Sequence, residues 1–364
     1  MAFTADDVLD WSIGENLDRL ITVDMRGDGI CRVIHDAARV EAGMPLTLAA
    51  GRTLDAALAP GRTVMILTAF LIPPTDVPET DGPIGSAVLS VTLVRAHGAV
   101  PVLVVEPEAR AVVEASLRAS GLGVVSDPRL ARELPRTAAV VDFPRDTPDP
   151  DALAARLLDD IAPAACIAIE RPGANDRGEY HFAGGANVSG SIARIDPLFS
   201  GSAERGIPTV AIGDFGNELG MGAIAPVVKL ETPAGGACNC GCGGGTANEQ
   251  RADATIACTV SDWGAYALAA MAVHLAASDS RAVTLAEYRR IAQAACDAGA
   301  IDGTSRLAVP DIDGVPAAYT ERLLEQIADA VALPARSELR NAPGRVFRAD
   351  RMSRADRMSQ GENR

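Results

Sequence analysis

Lysine is almost missing from this chain: Lys229 is the only one among 33 basic residues, the rest being arginine. A Schiff base or a pyridoxal-phosphate anchor requires a lysine amine. The neighbours Val227, Val228 and Leu230 offer Lys229 nothing that would activate it, so a lysine-centred mechanism is set aside. Histidine is scarce as well, limited to His35, His97, His181 and His274, whose spacing matches no zinc signature. Aromatic residues are 4% of the chain while hydrophobic residues are 48%, so the core must be built from Ala, Val, Leu and Ile. Positive charge is in deficit, with a net charge of −15. That excludes a nucleic-acid partner, because phosphate neutralisation needs clustered cations, and it argues against an anionic membrane surface. No apolar run reaches the ~18 residues of a membrane span. The N-terminal segment has no basic stretch followed by an apolar one. The seven cysteines, an odd number, are therefore expected to be reduced thiols in a soluble, cytoplasmic protein.

What the chain does have is alternation. Short β-branched runs at Thr63–Thr68, Val100–Val105, Ala138–Phe143, Cys166–Ile169 and Thr209–Ile212 are separated by amphipathic stretches at 84–96, 108–120, 150–161 and 197–205. The runs are apolar throughout, as strands are when helices cover both faces of a parallel sheet. This succession predicts an α/β fold, doubly wound and mainly parallel, with a helical C-terminal part after Trp263. Residues 1–336 read as one such domain, interrupted by a Gly/Cys-rich insertion at 233–249 that should lie outside the fold. Residues 337–364 contain the tandem RADRMS repeat and read as a disordered charged tail.

Three acidic, glycine-rich segments each follow a predicted strand: Glu79-Thr80-Asp81-Gly82-Pro83, Glu170-Arg171-Pro172-Gly173 and Gly213-Asp214-Phe215-Gly216-Asn217-Glu218. Ligands of open parallel sheets bind outside the carboxyl ends of the strands, so these loops should converge on one site. Humbler roles stand beside this one. Asp81 is suited to capping a helix, Glu170 and Arg171 to a salt-bridged strand end, and Ser261 and Asp262 to a second cap. His181 suits a structural hydrogen bond as well as catalysis. Neither a dinucleotide fingerprint nor a P-loop is present.

Together with Val260-Ser261-Asp262-Trp263-Gly264 and Asp313-Gly314-Val315-Pro316, these loops resemble the cyclase domain of the D-glutamate cyclase family over roughly residues 21–332. The family motifs are ETDGPxG, ERPG, GDGGNExGMG, VSNWGGYAL and DGLP. The resemblance implies a lyase that converts D-glutamate, or a close relative, to 5-oxo-D-proline and water. Asp214, Glu218 and Glu170 are then the catalytic candidates. Asp81, Arg171, Tyr180, His181, Asn217, Ser261 and Asp262 are the candidates for substrate binding. Such a reaction needs a base for the ammonium and an acid for the leaving oxygen, which crowded carboxylates supply. The alternative is a non-catalytic binding or sensor protein for a small acidic metabolite. In either case the partner is that metabolite, and a homo-oligomer is compatible with the composition.

Three departures from the family pattern matter. Phe215 replaces a glycine and should narrow the site, and Asp262 replaces an asparagine. After Tyr180-His181 the usual Asn-x-Arg-Gly run becomes Phe182-Ala183-Gly184-Gly185, which removes an anion-binding arginine. No cofactor is called for with certainty. The excess of carboxylates over histidines predicts that any divalent ion is Mg²⁺ or Mn²⁺ on oxygen ligands from Asp214 or Glu218. Cys238, Cys240 and Cys242 lack CxxC spacing and a second pair. They read as a flexible, oxidation-prone loop in preference to a metal site.

Overall fold

The computed structural model describes residues 4–276 and 280–336. Seven strands form one sheet: β1 (Thr63–Thr68), β4 (Val100–Val105), β5 (Gly123–Val125), β6 (Thr137–Asp142), β7 (Ala165–Ile169), β8 (Thr209–Gly213) and β9 (Ala254–Ala257). A small hairpin, β2 (Leu71–Ile72) with β3 (Val77–Pro78), follows β1. The sheet order is β5-β6-β4-β1-β7-β8-β9 and every pairing in it is parallel. From β1 the chain winds one way through β4 and β6 and later the other way through β7, β8 and β9. β1 is therefore the topological switch point, where a crevice opens at the strands' carboxyl ends.

The apolar runs are explained by two cores. Val64 and Ile66 of β1 enter the larger one, while Met65 and Leu67 enter the smaller. The larger core lies under α1 (Ala5–Ile21), α2 (Ile30–Ala42), α3 (Leu46–Ala57), α4 (Pro83–His97), α5 (Arg110–Ala119), α10 (Ser261–Leu275), α11 (Leu285–Asp297) and α12 (Ala317–Arg336). The smaller lies under α6 (Pro128–Glu133), α7 (Pro150–Ile161) and α8 (Asp196–Glu204), and includes Leu158 and Phe199. Each strand residue buried this way contributes about 1.5–3 kcal/mol, so alternation is not required on either face. A short helix, α9 (Ala225–Glu231), precedes the 233–249 segment.

The fold is the doubly wound α/β arrangement the sequence predicts, and its helices after Trp263 are in place. The three N-terminal helices and the short strands β5 and β9 add to it. The 233–249 segment does not lie outside the fold, since Ala234, Thr246, Ala247 and Asn248 are buried. The tail expected to be disordered, 337–364, lies outside the described residues. Among the described residues no helix is long and apolar enough to cross a membrane.

Helices α4 and α10 pack along each other and exchange caps across their N-termini. Asp81, one residue before the Gly82 cap of α4, accepts from the backbone N–H groups of Ser261 (3.0 Å) and Asp262 (2.7 Å) in α10. Asp262, in the first turn of α10, accepts from Gly82 (2.9 Å) and Gly85 (2.8 Å) in α4. A Cβ on Gly85 would lie 2.3 Å from Asp262 Oδ1, so only glycine permits this approach. The exchange satisfies orphan N–H donors that water cannot reach and fixes both loops beside β1.

Candidate active site

At the carboxyl ends of β1, β7 and β8 lies a cleft of about 190 Å³ lined by Glu79, Glu170, Asp214, Phe215, Asn217, Glu218 and Asp313. Arg26, Arg306, Phe70 and Phe182 also line it. A roomier cavity of about 590 Å³ between α10, α11 and α12 has, among the described residues, only His274, Arg281 and Glu325 as titratable lining groups.

Each carboxylate is held by its own loop. Glu170 follows β7 with φ at +43°, a left-handed backbone that costs of order 1–3 kcal/mol in a non-glycine residue and often marks functional positions. Its Oε2 accepts from the Ser261 hydroxyl at 2.5 Å. Glu218 turns back on the loop after β8 and accepts from the N–H groups of Asp214 (3.2 Å), Phe215 (3.0 Å) and Gly216 (2.7 Å). Asp214 is salt-bridged to Arg26 at 2.8 Å. Asp313 also has a left-handed backbone, φ +55°, and lies 3.5 Å from Arg26. It belongs to the segment between α11 and α12, which runs over the Glu79 loop and is tied to it by Thr80 N–H to the Ile301 carbonyl, 2.9 Å.

Crowding sets the protonation. Burial, then Asp214 and Asp81, push Glu170 well above the ordinary carboxylate range. Burial, then Asp313 and Asp214, do the same to Glu79. Asp81 is raised by burial and by Asp262, and Asp313 by burial and by Asp81. Glu218 is pushed up to about 8 by burial and Asp214, against the pull of its backbone donors. Burial opposes the charge of Arg26, but Asp214 and Asp313 more than offset it and raise its pKa. The cleft thus sets carboxyl groups pushed toward their neutral form beside Asp214, which Arg26 pairs at 2.8 Å. Two oxygen clusters meet at Asp214: Asp81, Asp214 and Asp313, and Glu170, Asp214 and Glu218, with ligand atoms of each group within 4.8 Å of one another.

The candidates from sequence divide three ways. Asp214, Glu218, Glu170 and Asn217 line the cleft; the Asn217 side-chain oxygen has no partner among the described residues. Ser261, Asp81 and Asp262 stand directly behind it, holding Glu170 and the two helix starts. Arg171 does not reach a substrate. It is fully buried, pairs with Glu106 at 2.6 Å and donates to the Ala69 (3.2 Å) and Ala193 (2.8 Å) carbonyls, stitching the end of β7 to that of β4. Both terminal nitrogens are engaged by the protein and the side chain is fully buried, which fits the salt-bridged strand end. Tyr180 is also turned away, its hydroxyl bonded to Asp196. His181 faces the cysteine loop, with Nε2 3.2 Å from Cys240 Sγ.

The chain matches the family model described as D-glutamate cyclase-like, C-terminal, over residues 17–328. It belongs to that family. A stretch of 104 residues is 36% identical to the human protein named D-glutamate cyclase, mitochondrial; it covers 28% of this chain and 16% of the human one. Membership supports a cyclase or lyase role in broad terms. Within this cyclase-like site, three lining residues come from outside the strand-end loops: Arg26, Arg306 and Asp313. Glu79 belongs to the first of those loops but is not among the site candidates drawn from sequence. Arg26 sits in the glycine-rich acidic loop 24–29, where Asp24 accepts from Gly27 (2.7 Å) and Gly29 (2.9 Å). Phe215, in place of glycine, packs against the Arg26 guanidinium at 4.0 Å. Arg306 lies over the Phe182 ring at 5.7 Å and makes no ion pair among the described residues.

Proposed function

We propose that this chain is a carbon–oxygen lyase that cyclises D-glutamate, or a closely related acidic amino acid, to 5-oxo-D-proline with release of water. The observation that carries the proposal is the convergence of Glu79, Glu170, Asp214, Glu218 and Asp313 on one 190 Å³ cleft, with Arg26 paired to Asp214. That volume is below the ~300–1,000 Å³ of sites for drug-sized ligands and suits a single amino acid. The acidic wall receives the ammonium, and the unpaired Arg306 receives a substrate carboxylate. Asp214 takes a proton from the ammonium, and the freed amine attacks the carbon of the γ-carboxyl group, forming the ring C–N bond. Glu170 protonates the departing oxygen, whose C–O bond breaks. After attack the nitrogen gives up its second proton to the same departing oxygen, which leaves as water; Asp214 ends protonated and Glu170 deprotonated, and one proton passed from Asp214 to Glu170 resets the site. Glu218, with both oxygens engaged by backbone N–H groups, shapes the loop that holds Asp214. The oxygen clusters at Asp214 fit Mg²⁺ or Mn²⁺, which when bound would polarise the γ-carboxyl group.

The test is incubation of the purified chain with D-glutamate and L-glutamate, followed by chiral detection of 5-oxoproline. Formation of the D product that depends on Asp214 supports the reading. Tight binding of D-glutamate with no product would favour the sensor reading, in which Phe215 has narrowed a former catalytic cleft.

A further inference from the structure

Beside the cleft, and outside the machinery just described, four soft donors converge. Cys238 Sγ lies 3.0 Å from Cys240 Sγ and 3.3 Å from Cys242 Sγ. His181 Nε2 lies 3.2 Å from Cys240 Sγ and 3.9 Å from Cys242 Sγ. All four ligand atoms are within 4.8 Å of one another. We infer that Cys238, Cys240, Cys242 and His181 form a closed, structural Zn²⁺ site that clips the 233–249 segment to the wall of the cleft.

The geometry and chemistry agree with this ion. With Zn–S near 2.3 Å and Zn–N near 2.0–2.1 Å, a tetrahedral site separates its ligand atoms by roughly 3.5–3.8 Å. The observed separations bracket that range, and an ion requires shifts of only about half an ångström. Three sulfurs and one imidazole select Zn²⁺ over Mg²⁺ or Mn²⁺, and four protein ligands leave no open position for catalysis. The sulfurs also have supporting donors. Asn175 Nδ2 (3.6 Å) and Gly244 N–H (3.4 Å) point at Cys242, and Asn187 Nδ2 (3.7 Å) points at Cys240. Such donors stabilise metal-bound thiolates. The two segments are built to touch: Gly185, at φ +88°, would place a Cβ 2.9 Å from Ala234.

The site joins the cleft through one residue. The His181 carbonyl accepts from Asn217 Nδ2 at 3.2 Å, and the next residues, Phe182 and Ala183, line the cleft. Fixing the imidazole therefore fixes that wall. The fourth ligand lies 59 residues before Cys240. Cysteine spacing alone does not reveal it.

The test uses the full chain purified without chelator, with elemental analysis and titration of the reduced, metal-free protein with Co²⁺ alone. We expect about one zinc per chain, thiolate-to-cobalt charge-transfer absorption on titration, and at least ~100-fold weaker Co²⁺ binding in C240S. D214N should keep full zinc, which separates this site from the carboxylate clusters. Less than ~0.1 zinc per chain together with no charge-transfer band would overturn the inference. So would zinc retained in the C238S/C240S/C242S chain, or a wild-type chain in which Cys238 and Cys240 are cross-linked and Co²⁺ is refused. If the triple variant fails to fold, the wild-type titration decides.

Discussion

Asp262 offers the sharpest test of how the two helix starts are held. Its Oδ1 accepts from Gly82 and Gly85, and its Oδ2 from the Tyr266 hydroxyl at 2.9 Å, all without access to water. Asp262→Ala leaves the Gly85 N–H and the Tyr266 hydroxyl without an acceptor, while the Gly82 N–H keeps Asp81 Oδ1 at 2.9 Å. At about 1–3 kcal/mol each, discounted for relaxation, the loss should be about 2–4 kcal/mol. Asp262→Asn keeps an oxygen for both backbone donors and removes a charge. Burial raises the Asp262 carboxyl from the ordinary 3.8 to about 6. Between those values the folded chain binds more protons than the unfolded one, so wild-type stability falls as pH rises through that window, by up to about 3 kcal/mol. The Asn variant lacks this slope. Urea unfolding at pH 5 and pH 8 should therefore find Asp262→Asn equal to or more stable than wild type at pH 8, with the advantage shrinking at pH 5. An Asn variant as unstable as the Ala variant at pH 8 would refute the reasoning, because the charge would then be the stabilising element.

Arg171→Met should cost about 3–5 kcal/mol by leaving Glu106 buried and unpaired, while the folded fraction keeps its substrate KM; a raised KM at unchanged stability would restore Arg171 to the site. Asp214→Asn should lower turnover by ~100-fold or more with an unchanged melting temperature, and full activity would remove Asp214 as the base. Arg306→Ala should raise KM for D-glutamate by ~10-fold or more with kcat altered less; an unchanged KM would show that another group receives the carboxylate.

The strand-end loops, their acidity and the parallel order were legible because each is local. A β-branched run, a glycine turn and an amphipathic helix are written in consecutive residues. The strand order, and with it the switch point at β1, is set by tertiary pairing, and the expected meeting of Asp214, Glu218 and Glu170 occurs there. Arg171 was misplaced because sequence shows a charge beside a cleft loop but not the direction of its side chain. Only packing shows that Glu106, 65 residues away, pairs with it inside the protein. Arg26, Asp313 and Arg306 went unread because they come from loops outside the strand ends and enter the site by lying across it.

The sequence by itself determined the layers, since hydrophobic periodicity dictates which faces must be buried and therefore which ends of the strands are left to bind. Tertiary structure alone decided three further matters. Asp81 and Asp262 cap each other's helices. Burial, together with the neighbouring charges, leaves several carboxylates of the cleft protonated. Cys238, Cys240 and Cys242 face His181. Each depends on distances between residues far apart in the chain, and a dielectric environment or a ligand shell exists only once the chain has closed around it.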